Sequence, residues 1–114
     1  MGLFGNMNSW ALRRMAKENF QAAWRRGYGC GGNPPAQAVR AIENAAETAS
    51  RYANGSPTER AVSALTDDLR DYARAVGHDR LQMSLGAGVL CGLFSSFPGY
   101  EWAAYCVSEW ELRS

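Results

Sequence analysis

Alternation of apolar and polar residues between turn pairs is almost missing from these 114 residues, which leaves little from which to build a β-sheet. Long apolar runs are missing too: GAGVLCGLF is too short to cross a bilayer and is closely followed by Pro98. The opening MGLFGNMNS has no basic segment and no long apolar core, so no secretory signal is expected. Histidine occurs once, as His78, and any Ser-His-Asp or Cys-His arrangement would have to use it. No nucleophile motif accompanies it, and its place between two helical patterns reads as a turn or cap. Cys30, Cys91 and Cys106 form no C-x-x-C pair, so a zinc site would need them and His78 gathered from four scattered places. An odd cysteine count without framework spacing reads as reduced thiols in a cytoplasmic protein. GYGCGG follows no strand and lacks the G-x-x-x-x-G-K pattern of a phosphate cradle, so it reads as an inter-helix loop. No catalytic residue, cofactor or metal is expected, and the chain is read as a non-enzyme.

Charge of one sign is also scarce, with a net of +1, although the balance hides a gradient. Arg13, Arg14, Lys17, Arg25 and Arg26 face only Glu18 in the first thirty residues, while Arg113 faces Glu101, Glu109 and Glu111 from residue 81 onward. Such a chain can dock a partner of opposite polarity, or pair with itself head to tail. Lysine is nearly absent, Lys17 standing alone among twelve basic residues. Codon bias in a GC-rich genome accounts for that, and arginine also suits interfaces. DNA-binding domains usually carry a stronger positive balance, so nucleic acid is not the expected partner. The basic first helix keeps a small DNA-associated regulator as the alternative. Asp67, Asp68 and Asp71 alternate with Arg70 and Arg74, which neutralises that acidic patch locally.

What is present is helical. The length fits one domain, residues 1–114, with a real core. Asn8 or Ser9 opens a first helix to Arg26, with Leu12, Met15, Ala16, Asn19, Phe20 and Ala23 on one side. Asn33-Pro34-Pro35 opens a second to Tyr52, with an alanine-rich stripe, and Asn54-Gly55 closes it. Ser56-Pro57-Thr58-Glu59 reads as a capping box with Ser56 at the cap. Val62, Leu65, Leu69, Tyr72 and Val76 then repeat at threes and fours as far as Gly77. Asp79 to Gln82 reads as another capping box, opening a fourth helix that SSFPG ends. A fifth element, residues 100–111, sets Trp102, Cys106 and Trp110 on one helical face, strand being the alternative for so aromatic a piece. The expected fold is all-α, a bundle of four or five short helices.

Four tryptophans in so short a chain exceed what a small helical core usually needs, and Trp, Tyr and Arg anchor protein interfaces. Trp102, Tyr105 and Trp110, with Arg14 and Arg25 of the first helix, are therefore the expected protein-contact residues. Gly88 and Gly92 make a small-residue ridge of the kind that admits a neighbouring helix or supports self-association as a homodimer. The function these features point to is a bacterial or phage module that binds another protein stoichiometrically. It would inhibit or regulate that protein, as an antiactivator of a transcriptional regulator or an anti-CRISPR-type antagonist does.

Overall fold

Apolar residues at four-residue steps build the helices of this fold. The computed structural model describes residues 9–27, 30–53 and 57–114. Among the described residues there are five helices and no strand: α1 Ser9–Arg26, α2 Ala36–Arg51, α3 Glu59–Ala75, α4 Arg80–Ser95 and α5 Glu101–Arg113. The all-α expectation holds, and the aromatic last segment is helix, not strand. In α1 the buried row is Leu12, Ala16, Phe20 and Trp24, while Asn19, expected on that face, is exposed. Four-residue steps from Leu12 pass Asn19 by and end on Trp24. In α2 the buried face is mostly alanine with Ile42, so α1 and α3 can both pack closely on this thin helix.

Two of the expected helix starts move. α3 is capped by Thr58, whose extended backbone turns its hydroxyl oxygen to accept the Ala61 N–H at 3.1 Å. Pro57 therefore precedes the cap instead of opening the helix, and Ser56 lies outside the described residues. At α2 the cap position is Pro35 itself, without a side-chain bond, and the helix begins at Ala36. Asn33 is too far upstream to serve. Asp79 caps α4 as expected, accepting the Gln82 N–H at 2.9 Å. Asn8 and Asn54-Gly55 also lie outside the described residues, as do Tyr28 and Gly29 of the glycine-rich loop. α3 ends in a paired-carbonyl cap, with the Gly77 N–H on Arg74 O and the His78 N–H on Ala73 O. Gly77 and His78 both take left-handed φ values, 63° and 57°, which makes His78 a turn residue.

Neighbouring helices close a ring in the order α1–α2–α3–α5–α4 and back to α1. α4 runs antiparallel to α5, since Ser84 bonds Glu111 while Cys91 meets Ala104 O. α3 and α5 run the same way: Thr66 meets Cys106, and Arg70 and Arg74 share a cavity with Trp110 and Ser114 beyond it. The α3–α5 seam thus lies across the ring from α1. Inside, the Tyr72 ring stands edge-on to Phe20 at 5.6 Å and its hydroxyl donates to Gln82 O. Phe94 stacks on Tyr100 at 6.2 Å.

One polar pair is set into the α2–α3 contact. The buried Thr48 hydroxyl donates to Asp68 at 2.6 Å. Partial burial pushes the Asp68 carboxyl above its ordinary 3.8, opposed chiefly by the Thr48 bond. A carboxyl raised on folding stabilises the fold most when protonated, and that contribution fades as pH rises from 3.8 through its folded value. Asp68→Asn keeps an acceptor for Thr48 without the charge. It should be modestly more stable than the parent at pH 7 and no more stable in strong acid, as thermal melts at the two extremes would show.

Candidate functional site

An apolar concavity of the described surface is built from two facing rows, each stepping by four residues. Val62, Thr66 and Arg70 make the α3 row, and Trp102, Cys106 and Trp110 make the α5 row. Residues four apart share a helix face, so each row is straight, and the two are held in register where Thr66 Oγ1 lies 3.9 Å from Cys106 Sγ. Between them is a groove of about 1070 Å³. Its α3 side is low because Ser63 and Thr66 are small, and Thr66 turns its hydroxyl to its own helix, donating to Val62 O at 2.8 Å. Tyr105 stands at the edge with 67% of its surface exposed. Trp102 and Trp110 are half-buried, backing onto the core while lining the groove. The Trp102 indole N–H is buried without a hydrogen-bond partner among the described residues.

Arg70, Trp110 and Ser114 line both this groove and a second cavity of about 780 Å³ at the C-terminal ends of α3 and α5. That cavity is of mixed character, lined by Arg70, Arg74, His78, Arg80 and Glu111 together with Met83 and Leu112. Arg70 and Arg74 are already paired on the surface with Asp67 and Asp71, at 3.6 and 3.3 Å. Glu111 accepts from Ser84. Burial pushes the Cys106 thiol upward, against a weaker pull from Thr66, so it is held away from the nucleophilic thiolate form. Cys30, Cys91 and Cys106 are unpaired, and no group of three His, Cys, Asp or Glu side chains among the described residues could hold a metal ion. No described helix is long and apolar enough to cross a membrane.

Of the residues singled out from the sequence, Trp102, Tyr105 and Trp110 come together on this groove. Arg14 and Arg25 do not join them, because both are exposed on α1, across the ring. Arg14 lies 5.5 Å over the Trp10 ring and pairs with Glu18 at 3.1 Å. Arg13 is held by Glu43 and Glu47 of α2. Lys17, Arg25 and Arg26 make no ion pair among the described residues. Gly88 and Gly92 face open space, so no helix of this fold packs on that ridge. The close approach is at Gly86, where an added methyl would strike the Tyr72 ring.

The spacing of Val62 within the α3 stripe reads as core, but its side chain lines the groove. It sits at the edge of the α3 stripe and is 40% exposed, not core. Comparison with family models, curated proteins and solved structures gave no match.

Proposed function

We propose that this chain is a non-enzymatic protein-binding module that takes an apolar segment of another protein into the α3–α5 groove. The observation that carries the reading is the gathering of Val62, Trp102, Tyr105 and Trp110 around one concavity beside a bundle core. Aromatic anchors in a preformed groove supply most of the energy of protein contacts, and a wet aromatic face is costly to leave uncovered. The Cys106 thiol, held protonated, gives the groove a neutral floor instead of a nucleophile. Acting one-to-one, such a module works as an inhibitor or regulator of its target, such as a transcriptional regulator or a host-defence protein of a bacterium. Three unpaired thiols suit the reducing cytoplasm.

The test uses Tyr105, which supports little of the fold. The wild-type chain, immobilised, should retain a defined target from bacterial lysate, and Tyr105→Ala should retain markedly less. A loss of about 1–2 kcal/mol in binding with an unchanged melting temperature is expected. Equal retention by the two proteins would reject the groove as the contact surface.

A further inference from the structure

We propose that the free protein assembles head to tail, the Trp10 end of α1 from one copy seating in the α3–α5 groove of the next. The inference rests on the groove being a docking surface, and it names a second copy of this chain as an occupant. Three observations support it. Trp10 is a large apolar side chain left 67% exposed in the first turn of α1. With Arg14 stacked over it, it forms a projecting aromatic–cation knob on the outer face of that helix.

Arg14 is itself paired with Glu18 at 3.1 Å, so the charge complementarity lies between the rest of α1 and the groove. Around the groove, Arg70 and Arg113 are taken by Asp67 and Glu109, at 3.6 and 3.5 Å. Glu59 and Glu101 line the same groove without an ion pair among the described residues, although Glu101 accepts the Gly99 N–H at 2.9 Å. The unpaired charge of the rim is therefore negative. That of α1 is positive, with Lys17 closest in sequence to the knob and Arg25 and Arg26 at the far end.

Placement supplies the third argument. α1 lies across the ring from the α3–α5 seam, so no copy can seat its own Trp10. A contact between two different surfaces leaves one knob and one groove open at the ends. It extends into a chain unless its rotation closes a ring. The contact rests on one exposed knob entering one groove, so assembly is reversible and depends on concentration. The charge component makes it weaken in salt. A target entering the groove would displace the neighbouring copy.

Sedimentation of the full chain from low to high micromolar concentration, in low and high salt, tests this. The average mass should rise with concentration and fall with salt. Trp10→Ala, which removes the knob, should weaken association at least about tenfold, as should the groove variant Tyr105→Ala combined with Glu59→Lys. Both change exposed residues, and circular dichroism checks that the helices remain. An equimolar mixture of the two variants should form heterodimers that stop at two, because each retains the surface the other lacks.

A wild-type chain that stays monomeric throughout overturns the proposal. So does self-association that survives Trp10→Ala, or that is abolished by Gly92→Leu on the exposed glycine ridge. If the wild type is monomeric yet Tyr105→Ala still loses the lysate target, head-to-tail assembly fails while the groove stands. If Tyr105→Ala changes neither association nor capture, the docking reading itself fails.

Discussion

Gly86→Ala is expected to lower the thermal midpoint by roughly 5–15 °C, whereas the same change at Gly88 or Gly92 should raise it. The three glycines lie in one helix, and alanine is favoured over glycine in a helix interior by about 1 kcal/mol. At Gly88 and Gly92 a methyl group meets nothing, so that preference is realised in full. At Gly86 it is overwhelmed, because the methyl would land on the ring and hydroxyl of Tyr72. Tyr72 cannot swing aside. Phe20 stands against its ring at 5.6 Å, and its hydroxyl is tied to Gln82 O, one turn before Gly86 on the same helix. Overpacking a core that cannot yield costs about 1–3 kcal/mol. Opposite signs in thermal melts of the three variants would confirm which glycine admits the neighbouring helix; a uniform rise would mean that α3 and α4 are not apposed in this way.

The contrast shows what sequence can and cannot carry. Local periodicity was legible: Leu65, Leu69, Tyr72 and Val76 are spaced as a buried stripe, and all four are buried. Asp79 was legible as a cap because its partner amide lies three residues away. Choosing between Ser56 and Thr58 was not, since both are hydroxyl residues and the choice depends on how the chain enters the helix. Gly88 and Gly92 drew attention by their spacing, yet Gly86, Leu90 and Phe94 form the buried row. Only the rotation of α4 about its axis, fixed by its neighbours, decides between the two rows. The groove was half legible, because Trp102, Cys106 and Trp110 read as one face. Its other wall depends on α3 lying beside α5, a contact between segments some forty residues apart that no local pattern encodes. The charge gradient likewise separated basic from acidic segments, but only the ring order places α1 opposite the aromatics.

Trp110→Ala should weaken both the fold and the groove, and comparison with Tyr105→Ala separates the two effects. Trp110 is half-buried, packed on the core, and lines both the groove and the second cavity, as do Arg70 and Ser114. Removing a fully buried tryptophan costs ~3–5 kcal/mol, so a half-buried one should cost about 2 kcal/mol of stability. Loss of the indole removes a large aromatic surface from the groove lining, so target binding should fall by at least about 2 kcal/mol as well. Tyr105 reaches solvent and should cost binding alone. The decisive measurement pairs a denaturant titration of each isolated variant with its affinity for the captured target. If Trp110→Ala loses stability while its folded fraction binds as tightly as the parent, the indole is a core residue and the contact surface shrinks to Tyr105 and its neighbours on the rim. If binding falls further than unfolding accounts for, Trp110 is an anchor of the contact surface.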